Sequence, residues 1–415
     1  MSGFKPDFLW GASTSPHQVE GNNVNSDWWA REGLIPGMQL SGDANDSYHR
    51  YREDMSLLAD AGLNSYRFGI EWARIETRPG VFSSALLKHY RRMIDTALEL
   101  GLKPVITLHH FSSPRWFADE GGWSTPKAAE RFAEYAKVAS TILGGVGHIV
   151  TINEPNMLAM MLNLEAAARR GDLDEWQSPT IENQGVGQWE QPPLPVPLPE
   201  DGKHIIEAHH AAREELRQNT DAQIGWSVAN QAFTAAPGGE ERLRDVQWAF
   251  EDLYLEAARG DDFIGVQSYT TQQVDADGLV PHPPHPDNTM IGTAYRPDAL
   301  AMTVRRAADV AGTPVLVTEN GIATPDDERR IAYTHEALRA LSTVIEAGVD
   351  VRGYLHWSLL DNYEWGHWEP TFGLVAVDRD TFERRPKRSL GWLGAVARSH
   401  GASLNAPLAQ AVTQG

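Results

Sequence analysis

Short runs rich in β-branched and aliphatic residues alternate along this chain with longer segments whose apolar residues recur at helical spacing. The short runs fall at residues 8–12, 65–70, 104–109, 148–153, 223–229, 263–269, 314–319 and 351–358. Some are apolar almost throughout, as in Pro-Val-Ile-Thr-Leu from 104 and Pro-Val-Leu-Val-Thr from 314. A half-exposed strand alternates apolar and polar residues, whereas a strand covered on both faces does not, so these runs read as parallel strands. Eight of them predict a closed barrel. The segments between, at 54–61, 85–100, 127–143, 202–218, 243–258, 299–311 and 333–347, read as helices. Gly62, Gly101, Gly260, Gly312 and Gly348 follow them, as glycines do where a helix turns back toward a strand.

The expected fold is therefore α/β, a single (β/α)8 TIM barrel with elaborated βα loops, and residues 1–415 are read as one catalytic domain. No Ser/Gly-rich linker divides the chain. Residues 171–201, with Pro192, Pro193, Pro195, Pro197 and Pro199 in quick succession, read as an extended loop after the fourth strand, because closely spaced prolines suit neither helix interior nor central strand.

Charge narrows the function. Lys and Arg number 36 against 56 Asp and Glu, a net charge of −20 spread along the chain, which disfavours nucleic acid and anionic membranes as partners. No apolar run is long enough to span a bilayer and the N-terminus lacks a leader's basic and apolar pattern, so a cytoplasmic location is expected. The absence of cysteine removes disulfides, thiolate metal sites and Cys nucleophiles together. Trp is plentiful at 14 residues, and indole faces suit sugar rings as well as cores.

In a parallel barrel the chemistry sits where the strands stop. Those positions are polar or aromatic here: Gln18, Arg67, His110, Asn153 with Glu154, Asn230, Tyr269, Glu319 and Trp357, with Glu364 and Trp365 just beyond. Two carboxylates stand among stiff neighbours, in Thr-Ile-Asn-Glu-Pro at 151–155 and Val-Thr-Glu-Asn-Gly at 317–321. Either alone would more often be a salt-bridge partner. As a pair at one barrel mouth, they match what glycoside hydrolysis needs: one group to protonate the leaving oxygen, another to act at the anomeric carbon.

These motifs, together with Phe-Leu-Trp-Gly-Ala-Ser at 8–13, Tyr-Arg-Phe-Gly-Ile-Glu-Trp at 66–72, Thr-Leu-His-His-Phe at 107–111 and Trp-Ser-Leu-Leu-Asp-Asn-Tyr-Glu-Trp at 357–365, resemble glycoside hydrolase family 1, the β-glucosidase family. The resemblance implies a retaining β-glycosidase, first of all a β-glucosidase, with galactosyl and fucosyl substrates left open. A transglycosylase using the same chemistry and a non-catalytic sugar-binding barrel are the alternatives. It implies that Glu154 is the acid/base and Glu319 the nucleophile, with Arg67 and Tyr269 orienting the latter. It further implies that Asn153 binds the 2-hydroxyl, that Gln18, His110, Glu364 and Trp365 bind the other hydroxyls, and that Trp357 is the stacking floor. Beside Arg67, Glu319 is expected to be ionised, and its charge to help keep Glu154 protonated. A carboxylate at Glu364 is expected to repel a 6-phosphosugar.

The chemistry calls for no cofactor and no metal: His282 and His285 lack accompanying ligands, and His209 and His210 read as packing or surface residues of a helix. The expected partner is a small-molecule β-glycoside, and no oligomeric state follows. Three departures from the family pattern stand out. Gln267 and Ser268 replace its usual Asn and Tyr, Phe111 replaces a common Trp, and 156–201 lacks its usual landmarks. Trp176 and Trp189 in that last stretch are the candidates for an apolar aglycone platform.

Overall fold

The structure, a computed structural model, describes residues 3–35, 37–170 and 195–406. Eight strands form the barrel: β1 (Leu9–Ser13), β2 (Ser65–Gly69), β3 (Lys103–His109), β4 (His148–Asn153), β5 (Gln223–Asn230), β6 (Phe263–Ser268), β7 (Val315–Glu319) and β8 (Val351–Trp357). Each pairs in parallel with the next, and β8 pairs with β1 to close the ring.

The near-continuous apolar runs divide between two cores. Leu9, Val105, Val150, Phe263, Leu316 and Leu355, from six different strands, cluster together and fill the barrel interior. Their neighbours Ile106, Ile149, Val315 and Val317 join the larger cluster with helix residues such as Phe132, Val304 and Leu338. Both faces are covered, which is why the strand sequences do not alternate. The inner layer blocks one end of the barrel, and the polar strand ends occupy the other.

Ser47–Ala61, Pro199–Asn219 and Asp327–Glu346 start earlier than their apolar spacing indicates. Ser84–Glu99 starts after Ser83, whose hydroxyl accepts from Leu86 N, and Asp327–Glu346 after Asp326, whose carboxylate accepts from Glu328 N and Arg329 N. The segment expected at 243–258 is broken instead into Glu240–Gln247, a π turn at Trp248–Asp252, and Leu253–Ala257. Two of the longer helices carried no expectation, Pro155–Arg170 and Arg388–Arg398. The loop expected at 171–201 is shorter at its end: Pro199, Glu200 and Asp201 form the first turn of Pro199–Asn219, where proline is accommodated because its missing N–H would have no intrahelical partner. Trp176 and Trp189 lie outside the described residues. Among the described residues no helix is long and apolar enough to cross a membrane.

Candidate active site

Glu319, the last residue of β7, is 4% exposed and held from two sides. Arg67, fully buried on β2, donates from Nη1 to Glu319 Oε1 at 2.5 Å, and Gln267 on β6 donates to the same oxygen at 2.7 Å. Tyr269, one residue past β6, donates its hydroxyl to Oε2 at 2.7 Å. Arg67 is itself fixed by its Nε bond to Thr107 Oγ1 at 2.9 Å and by an Nη2 bond to Asn153 Oδ1. The Asn-Gly that follows Glu319 locks the strand end in place. Asn320 donates to Ser268 O at 2.7 Å and accepts from Tyr354 OH at 3.0 Å, while a Cβ at Gly321 would stand 2.0 Å from Trp357 O. Only glycine fits that close approach.

Glu154 is placed differently. It follows β4 at φ +46°, in the left-handed region, and Pro155 then opens the helix Pro155–Arg170. Its N–H donates to Ser227 O at 2.7 Å, and its carbonyl accepts from Met157 N and Leu158 N. Asn156 clamps the turn to β5, donating to Ala229 O at 2.8 Å and accepting from Ala229 N at 3.2 Å. These bonds explain the motif's stiffness. The Glu154 carboxyl accepts no side-chain hydrogen bond among the described residues.

Around the pair lies a polar and aromatic wall. Gln18 Nε2 lies 2.9 Å from Asn362 Oδ1 and from Tyr363 O, and 3.3 Å from Glu364 Oε2. Trp357 Nε1 donates to Glu364 Oε1 at 3.2 Å, and Asn153 Nδ2 lies 3.2 Å from His110 Nε2. Four rings lie roughly parallel in series, from His17 through Trp365 and His110 to Trp357, with successive tilts of 5°, 21° and 28°. His17, at the outer end, is bonded to buried Glu32 at 2.7 Å. Asn230 does not join this group: it donates to Glu251 at 3.3 Å. His209 is a packing residue, stacked on Trp226 at 4.2 Å and bonded to Thr151 and Asp261. His282 bonds Asn288 and His285 pairs with Asp287; among the described residues no group of three His, Cys, Asp or Glu could hold a metal ion.

Burial pushes both carboxyls up. At Glu319 the nearby Arg67 charge and the Tyr269 hydrogen bond oppose that rise. At Glu154 the rise is larger, because the Glu319 charge adds to burial and only Arg67 opposes it, so of the two Glu154 holds the proton. Burial and the neighbouring carboxylates keep the Tyr269 phenol protonated and able to donate, and burial with Arg67 keeps His110 neutral. Glu364 is pushed up to about 8, chiefly by burial. The repulsion expected of a 6-phosphate therefore grows as pH rises through that value.

The glycosyl hydrolase family 1 model matches residues 1–249 and 248–402. The chain belongs to glycosyl hydrolase family 1. The thermostable beta-glucosidase B of Thermobispora bispora is 30% identical, over 96% of this chain and 91% of that protein. A bifunctional beta-D-glucosidase/beta-D-fucosidase of Bifidobacterium breve is also 30% identical, over 96% of this chain and 99% of its own length. A crystal structure of a β-glycosidase superposes with a TM-score of 0.83 at 41% identity, covering 98% of this chain and 99% of that one.

Every described residue singled out for the glycosidase site, apart from Asn230, lies in or against this group. The motif reading overlooked Gln267, noted only as a departure from the family pattern, and also Thr107 and Asn156. A polar residue in an otherwise apolar buried strand was the available signal for the first two. Asn156 stands next to the Glu-Pro pair, where a capping or clamping amide is common.

Proposed function

We propose that this family 1 enzyme is a retaining β-glucosidase: Glu319 attacks the anomeric carbon of a terminal β-D-glucosyl residue, Glu154 protonates the departing oxygen, and water then hydrolyses the glycosyl ester. The observation that carries the assignment is the unequal treatment of the two carboxyls. Glu319 accepts from Arg67, Gln267 and Tyr269, which favours the anion that attacks, while Glu154 accepts from no described side chain and faces a negative neighbour, which favours the neutral acid. Once Glu319 is esterified its charge is gone, Glu154 loses the reason to hold its proton, and it can serve as base toward water.

Asn153, Gln18, His110, Glu364 and Trp365 are assigned to the sugar hydroxyls and Trp357 to the ring face. Gluco and fuco substrates are both included, in keeping with the named activities of the relatives. The proposal includes a cytoplasmic location. NMR of an aryl β-glucoside digest tests the mechanism: β-glucose should form first, and a 2-deoxy-2-fluoro glucoside should leave its label on the peptide containing Glu319. First-formed α-glucose, or a label elsewhere, refutes it.

A further inference from the structure

Gln267 is 1% exposed, and both hydrogens of its Nε2 are engaged at 2.7 Å, one by Asn153 Oδ1 and one by Glu319 Oε1. Arg67 donates to the same two oxygens, through Nη2 and Nη1. Each oxygen therefore meets two donors, one charged and one neutral.

At Asn153 this decides which way the amide faces. Turned over, its NH2 would confront the donors of Arg67 and Gln267, so Nδ2 is left to point toward His110 and the sugar as a donor. At Glu319 it occupies the lone pairs of Oε1, whereas Oε2 accepts, among the described residues, only from Tyr269 and keeps capacity free for the anomeric carbon.

The amide also carries a cost that packing does not explain. Among the described residues Gln267 Oε1 is buried without a hydrogen-bond partner, so the fold would be served at least as well by an apolar side chain of the same length. Asn, the residue usual in the family, carries the same amide on a side chain one methylene shorter.

We propose that Gln267 is a positioning residue, which ties the nucleophile carboxylate to the Asn153 amide and fixes the orientation of both. The inference rests on the roles proposed above for Glu319 and Asn153. Arg67, Tyr269, Glu154 and Glu364 are the other charged and titratable groups around Glu319. They remain in place when Gln267 is changed.

The test is the pH profile of kcat/KM on an aryl β-glucoside for Gln267→Leu and Gln267→Asn, with thermal melts of both. Gln267→Leu should fold and lose about 10- to 100-fold in kcat/KM, the usual scale for one hydrogen bond to a charged group. Its acidic limb should move to higher pH, because Glu319 loses a donor that favours its anion. The same loss should appear in the rate of labelling by a 2-deoxy-2-fluoro glucoside, which reads the first step alone. Gln267→Asn should fall between Gln267→Leu and the parent in both rate and limb, and it decides the matter alone if Gln267→Leu does not fold. A folded variant with its acidic limb unmoved overturns the proposal, whatever its rate. Failure of the parent protein to label at Glu319 would instead overturn the catalytic assignment on which the proposal stands.

Discussion

Glu319 ends β7 and Glu154 follows β4, three strands away in one ring, yet their surroundings share little. The first is the final residue of a strand, reached by donors from β2 and β6 and from Tyr269 just beyond. The second sits in a turn with left-handed backbone, its peptide groups well bonded and its carboxyl accepting nothing from the described side chains. Identical side chains thus lean different ways: Arg67 and Tyr269 oppose the rise that burial brings at Glu319, whereas the Glu319 charge adds to it at Glu154.

Three substitutions bear on that contrast, in descending size of effect. Removing the carboxyls separates them by substrate. Glu319→Ala should lose on the order of 10^4-fold or more in kcat on every β-glucoside, since no nucleophile remains. Glu154→Ala should lose about 10^2- to 10^4-fold on poor leaving groups but keep the first step for a dinitrophenyl glucoside, which departs without a proton. On that activated substrate the alkaline limb of kcat/KM, which reports deprotonation of Glu154, should vanish while the acidic limb stays. Equal losses across leaving groups for both variants would erase the distinction. Tyr269→Phe is milder: losing one hydrogen bond to the anion should lower kcat/KM about 10- to 100-fold. It should also move the acidic limb upward, because that bond lowers the Glu319 carboxyl and its loss lets the value rise. An unmoved limb would mean that Tyr269 does not share the charge.

The smallest effect is expected at the clamp of the Glu154 turn. Asn156→Ala leaves the N–H and C=O of Ala229 without this partner, at about 1–3 kcal/mol, or roughly 1–3 °C in Tm for a chain of this length. Its rate loss should grow as the leaving group worsens, because the acid is what it misplaces. A uniform rate loss across leaving groups would show that the clamp serves the fold only.

The sequence carried the barrel clearly because burial on both faces writes an unusual pattern, as at 104–108 and 314–318, and because the polar strand ends contrast with it. Helix starts were less visible. Residues such as Ser47 and Pro199 belong to first turns that follow from backbone geometry and proline's fixed φ, not from apolar spacing. Residue roles divided in the same way. Glu154 and Glu319 announce themselves through stiff neighbours, whereas the reach of Gln267 to two oxygens on different strands depends on the register of β6 against β7 and on its position across from Asn153, which no local pattern records.

The backbone at Glu154 carries one further consequence. A non-glycine residue held at φ +46° costs about 1–3 kcal/mol that glycine would largely avoid. Selection of this protein for heat resistance alone, with no demand for turnover, would thus be drawn toward Gly at position 154: a tougher barrel without the proton donor proposed above. Durability and catalysis pull against each other at this one residue, and any programme of stabilisation must hold it fixed.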